Sequence, residues 1–214
     1  MRGINKHPNR DPDAAKHLSR IDPVMADIIE RVGRLSIPRR RERFAALARA
    51  MIFQQLAGAA ANAILNRFIE QIGNGKFPTP EIVLKASAAK MRRAGISKQK
   101  NLYLKDLARH IVDGELNFHK FARMSDEEII EHLTRVKGIG RWTAEMFLMF
   151  NLGRPDVCPA DDLGLRNAIT KAYGLNAHLK PKDLRDFGER WRPYRSAATW
   201  YLWRSLQIKL PGGS

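Results

Sequence analysis

Cysteine is almost missing from this chain of 214 residues: Cys158 is the single one. One thiol cannot close an intramolecular disulfide, and it cannot build a cysteine-held zinc or iron–sulfur centre. A reducing, cytoplasmic setting is therefore expected. Long hydrophobic runs are missing too. No segment approaches the roughly 20 apolar residues that a membrane span requires. The opening MRGINKHPNRDPDAAKHL has no apolar stretch of the kind a secretory signal needs. Its prolines and charges mark residues 1–20 as a loose lead-in, and LPGGS marks residues 208–214 as a flexible tail. Strand-like alternation is nowhere sustained, and there is no internal repeat or low-complexity tract, so an all-α chain is expected. Acidic residues are few beside basic ones. Asp and Glu number 22 against 38 Lys and Arg, a formal net charge of +16 at neutral pH. Such a balance implies a polyanionic partner, of which nucleic acid is the commonest. A membrane surface fits less well, because no single basic amphipathic helix carries the excess.

What is present reads as helices. Hydrophobic residues make up 44% of the chain, ample for a core. Asp22 followed by Pro23 starts one helix, Thr79 before Pro80 and Ser87 start short ones, and Ser97 starts a longer one through Leu102, Leu107 and Ile111. Residues 44–55 carry a stripe of Leu47, Met51 and Ile52. Residues 57–72 contain AGAAANA, small enough for close helix packing, before Gly73. Further helices are expected over 182–191 and 194–206. The basic connector SIPRRRER within 34–43 reads first as a solvated turn and second as part of a phosphate-facing surface.

The stretch LTRVKGIGRWTAEMFLMFNLGRPDVCPADDLGLR, residues 133–166, carries the chemistry. Ser125 with Glu128 forms a capping box ahead of Ile129, Ile130 and Leu133. That helix must stop at KGIG, where Gly138 and Gly140 allow positive φ and close backbone approach, and helical spacing resumes from Arg141. The outcome is helix, hairpin, helix over about 125–152. Backbone N–H groups at such a turn suit a phosphate oxygen, with Lys137, Gly138, Gly140 and Arg141 as the candidate contacts and Lys98 as a further one. Glycine is also the ordinary residue of a helix connection, so the hairpin alone is not decisive. Downstream, Asp161 and Asp162 stand before another apolar-periodic run. One acid suffices as the cap, which leaves the other for chemistry.

VKGIGRWTAEMF followed by DVCPADD resembles the helix-hairpin-helix and aspartate loop of the helix-hairpin-helix (HhH-GPD) DNA glycosylase superfamily, and within it the alkylbase, or 3-methyladenine type II, family. AMIFQQLAGAAANAI, MRRAGISKQKNLYLKDLA and WRPYRSAATWYLW fit the same family in the same order, covering most of 44–203. The resemblance implies two helical lobes with a substrate cleft between them, the first lobe drawing on both termini, within a glycosylase domain over 21–207. The β-rich domain that precedes this one in longer members is expected to be missing. Asp162 is aligned with the catalytic aspartate and Asp161 is left as the helix cap. Members that also nick the backbone carry a lysine after GIGR. Trp142 stands there instead, which implies a monofunctional hydrolytic enzyme that leaves an abasic site. Trp142, Trp200 and Tyr201 are the base-pocket candidates, and Gln55 and Leu56 of the QQL turn are the duplex wedge. No cofactor or metal site is required, and the resemblance allows a monovalent cation at the hairpin backbone. The chain is expected to act as a monomer on double-stranded DNA with damaged bases such as 3-methyladenine or 7-methylguanine, in a bacterial cytoplasm at the nucleoid. Two alternatives stay open: a noncatalytic helix-hairpin-helix DNA-binding module, and a glycosylase for a different lesion.

Overall fold

The computed structural model describes residues 12–207, and every regular element among them is helical. The chain forms two compact units, one from the residues up to Arg39 together with those from Leu148 onward, the other from Arg40–Phe147. The first unit thus draws on both ends of the chain, as expected.

Helix α1 (Pro12–Ile21) was not expected, since residues 1–20 read as loose. Ala14 and Leu18, one helical turn apart, are both fully buried, and this apolar stripe outweighs the charged residues around it. The rest of that lead-in, and the tail 208–214, lie outside the described residues. Helix α2 (Pro23–Val32) starts as predicted, with Asp22 as N-cap and Pro23 in the first turn.

In the second unit, α3 (Arg43–Phe53) buries Leu47, Met51 and Ile52, and α4 (Gly58–Gly73) buries Ala61, Leu65, Phe68 and Ile72. Thr79, Ser87 and Ser97 each accept a backbone N–H at the starts of α5 (Pro80–Lys85), α6 (Ala88–Arg93) and α7 (Lys98–Val112). Helices α8 (Asp126–Thr134) and α9 (Arg141–Phe147) flank the hairpin. Phe118, Phe121 and Phe147 pack ring against ring beneath them.

Back in the first unit, the chain makes a π-helical turn, Leu148–Leu152, then α10 (Leu163–Ala172), α11 (Pro181–Gly188), a single 3₁₀ turn at Glu189–Trp191, and α12 (Arg195–Ser205). Helix α12 is buried on nearly every face, with Ala198, Tyr201 and Leu202 fully enclosed. Asp22 fastens this unit. Its Oδ1 accepts the Val24 and Met25 N–H groups, while its Oδ2 accepts the Tyr173 hydroxyl at 2.6 Å and the Trp191 indole N–H at 3.1 Å. Burial and the adjacent Asp22 carboxylate push the Tyr173 phenol well above its usual range, so it stays a donor.

Replacing Asp22 by Ala strands two buried side-chain donors and two helix N–H groups. Asp22→Ala is expected to lower unfolding stability by about 3–5 kcal/mol, read by urea titration. A loss under about 1 kcal/mol would show that the carboxylate does not fasten the unit.

Candidate active site

The hairpin is held from several sides within the second unit. Ser125 and Glu128 close both arms of the capping box, Ser125 accepting the Glu128 N–H and the Glu128 carboxylate accepting the Ser125 N–H. Asp106 of α7, 6% exposed, accepts the Lys137 backbone N–H at 2.9 Å and so anchors the turn. Gly138 adopts φ +86°, and a Cβ there would collide with the Tyr103 ring. Only glycine fits. Gly140, by contrast, has ordinary φ and open space where a Cβ would stand, so positive φ is needed at one hairpin glycine and not both. The backbone N–H groups of Gly138 and Gly140 have no hydrogen-bond partner among the described residues.

Arg141 departs from its expected role as a phosphate contact. Its Nη1 and Nη2 donate to both oxygens of Glu127, and its Nε donates to buried Glu145 at 3.0 Å. The Glu127 hydrogen bond holds the guanidinium charged above its already high range. Arg141 therefore clamps the first turn of α8 to α9 rather than facing an external anion. Lys137 and Lys98 are exposed, as surface cations that can meet a phosphate must be.

The QQL turn stands against this hairpin. The Gln54 side-chain amide donates to the Gly138 carbonyl at 2.8 Å, and the Lys100 ammonium donates to the Ile52 and Gln54 carbonyls at the C-terminus of α3. Partial burial lowers the Lys100 pKa. Lys100 was not singled out by sequence, because a lysine reaching back to a helix end leaves no local spacing signal. Gln55 takes φ +57°, uncommon without glycine, and Leu56 is 38% exposed, so it is no core leucine. Gln54, Gln55, Leu56, Gly138 and Gly140 share one open pocket of about 530 Å³.

The aspartates resolve differently from the expected division of labour. Asp162, not Asp161, caps α10, its Oδ1 accepting the Leu165 N–H at 2.6 Å; Asp161 is exposed in the preceding turn. The reason is register. An N-cap must lie one residue before the first helical turn, and that turn begins at Leu163. The same Oδ1 accepts the Trp203 indole N–H at 2.8 Å. Trp203 was not singled out by sequence, since only the packing of α12 on α10 brings it to Asp162.

The pocket aromatics divide as well. Trp142, at the start of α9, is 45% exposed, which rules out a core role. Tyr201 is fully buried, its hydroxyl donating to the Gly33 carbonyl at 3.1 Å, and Trp200 is 7% exposed in the same core. Both are corrected from pocket to core: α12 is enclosed on almost all sides, so its aromatics face neighbouring helices. Among the described residues, no group of His, Cys, Asp and Glu could hold a metal ion, and no helix is long and apolar enough to cross a membrane.

Two helices joined by a glycine hairpin whose N–H groups have no partner among the described residues, all of whose regular elements are helical, define a helix-hairpin-helix protein. Residues 48–193 match the model of the HhH-GPD superfamily of base excision DNA repair proteins, and the chain belongs to that superfamily. DNA-3-methyladenine glycosylase 1 of Schizosaccharomyces pombe is 40% identical over 196 residues, covering 90% of this chain and 86% of the relative. The alkylbase DNA glycosidase-like protein mag2 of the same yeast is 33% identical over 203 residues, covering 93% and 95%. Among solved structures, the S. pombe 3-methyladenine DNA glycosylase Mag1 in complex with abasic DNA superposes with a TM-score of 0.82 at 40% identity, covering 92% of this chain and 97% of that one.

The two hairpin glycines should respond unequally. Gly138→Ala is expected to cost about 3 kcal/mol or more through strained φ and the Tyr103 collision, whereas Gly140→Ala should cost less than about 1 kcal/mol. Paired urea unfolding curves check this, and equal costs would contradict the geometry.

Proposed function

We propose that this chain is a DNA glycosylase of base excision repair that takes alkylated bases of the 3-methyladenine and 7-methylguanine type from duplex DNA by hydrolysing the N-glycosidic bond. The observation that carries the reading is Asp162, a carboxylate fixed at the start of α10 by the Leu165 and Trp203 N–H groups, in a chain 40% identical to a 3-methyladenine glycosylase over 90% of its length. Capping and catalysis do not compete. A carboxylate offers two oxygens and several lone pairs, so capping the helix does not exhaust what the group can do.

Breaking the bond between base and C1′ leaves the sugar with oxocarbenium character, which Asp162 stabilises through space. The bonding electrons leave with the base. A base methylated on a ring nitrogen carries formal positive charge and departs neutral, so no strong general acid is needed. Water then adds to C1′ and gives up its proton, oriented by the same carboxylate. Trp142 stands where a lyase would need an amine, so the product is an abasic site on an unbroken strand. Its exposed indole suits the face of a cationic base. Leu56 and Gln55 form the plug for the emptied stack, and the free Gly138 and Gly140 N–H groups with Lys137 meet the sugar-phosphate backbone. The chain acts as a monomer and without a cofactor. A monovalent cation at the hairpin fits too, because the Val136 and Gly138 carbonyls each accept one hydrogen bond and keep a second lone pair.

The test is release of free 3-methyladenine and 7-methylguanine from methylated duplex DNA. Asn caps a helix about as well as Asp, so Asp162→Asn is expected to leave the unfolding midpoint near wild type while base release falls by more than about a hundredfold, with no strand nicking by either protein. DNA binding without base release by the wild type would favour another lesion or a binding module. A second comparison concerns the plug. Leu56→Ala should slow release from duplex more than from single-stranded DNA, by about tenfold against little change, since only the duplex leaves a gap to fill.

A further inference from the structure

We propose that Trp203 is a positioning residue for base excision, acting through Asp162. The proposal rests on Asp162 being the catalytic carboxylate. An aspartate at a helix N-cap is held by one oxygen only, and its terminal torsion is broad, so the carboxylate plane can swing about the capping bond. Here a second donor removes that freedom. The Trp203 Nε1–H reaches Oδ1 at 2.8 Å from α12, while the Leu165 N–H reaches the same atom at 2.6 Å from α10. Two donors on separate helices thus fix one oxygen, and with it the direction of the other. Charge-assisted bonds of this kind are the stronger class.

The indole is itself placed by its neighbours. Its ring stacks on Phe150 with centroids 6.2 Å apart and planes 17° from parallel. Phe150 lies within the Leu148–Leu152 π turn, a rare form of helix that occurs frequently at functional sites. Room for the contact is left by Gly164. A Cβ there would stand 3.1 Å from the Asp162 Oδ1 and 3.4 Å from the Trp203 Nε1, crowding both partners of the bond. Phe150 backs the indole, and the indole N–H together with the space left by Gly164 meets one oxygen of Asp162.

The experiment compares wild type, Asp162→Asn, Trp203→Phe, and a chain carrying 3-benzothienylalanine at position 203, which keeps two fused rings and puts sulfur where the N–H stands. Each is measured for single-turnover release of 7-methylguanine from methylated duplex DNA, for affinity to the same duplex and for thermal unfolding. Expected is a loss of about tenfold to a hundredfold in the release rate for the benzothienyl chain, the size of one hydrogen bond to a charged group, with affinity and melting temperature close to wild type. Release within about twofold of wild type in that chain, with Asp162→Asn inactive, would overturn the positioning role alone. A loss confined to Trp203→Phe would overturn it as well, since ring packing and not the N–H would then matter. So would a rate loss matched by an equal loss of affinity. Full activity in Asp162→Asn would instead overturn the reading of Asp162 on which the proposal stands.

Discussion

The first unit depends on one buried carboxylate. It is assembled from two stretches of chain separated by the whole of Arg40–Phe147, and closing so long a loop costs conformational entropy before any local contact repays it. Asp22 supplies two of the hydrogen bonds that cross this gap, beside the one from the Tyr201 hydroxyl to the Gly33 carbonyl. It ends one hydrogen-bonding debt at the start of α2 and satisfies the Tyr173 hydroxyl and the Trp191 indole from the far end of the sequence. Around it the aromatic rings of Tyr173, Phe187 and Trp191 pack edge to face. Asp162 stands on α10, the helix that Tyr173 caps, so the candidate catalytic acid is carried by an element fixed through Asp22.

Acids are scarce in a chain of net charge +16, and those described in detail are nearly all used to hold backbone or guanidinium groups. Asp106 anchors the hairpin, Glu127 and Glu145 clamp Arg141, Glu128 completes a capping box, and Asp156 pairs with Arg192 and Arg195. The internal ion pairs therefore lower the mobility of a few basic side chains without removing the cationic excess. That excess is what a polyanion meets, and its contribution falls with added salt. Uncharged donors work beside them within each unit: the Gln54 amide on the Gly138 carbonyl in one, the Trp203 indole on Asp162 in the other.

Local signals in the sequence were sufficient where the determining contacts are local. Ser125 with Glu128, Asp22 with Pro23, and Thr79, Ser87 and Ser97 each lie within a few residues of the N–H groups they cap, and each cap is present. The KGIG turn was legible for the same reason. Helix α1 was missed because its stripe is only Ala14 and Leu18, too short to outweigh the surrounding charge until a core is there to receive it. That the cap of α10 is Asp162 and not Asp161 turned on a register of one residue, which periodicity does not resolve.

The sequence by itself determined the all-α class, the hairpin and the polyanionic partner, because these follow from composition and capping residues, and the resemblance of its motifs to the family made Asp162 the candidate acid. Tertiary structure alone decided which aromatic serves that aspartate. Trp200, Tyr201 and Trp203 lie within one turn of α12 and look alike in sequence, yet the packing of the helix buries the first two in the core and turns Trp203 toward Asp162. It likewise decided that Arg141 binds carboxylates and that Leu56 faces outward. Each of these depends on what a neighbouring helix presents across space, and no spacing along the chain encodes that.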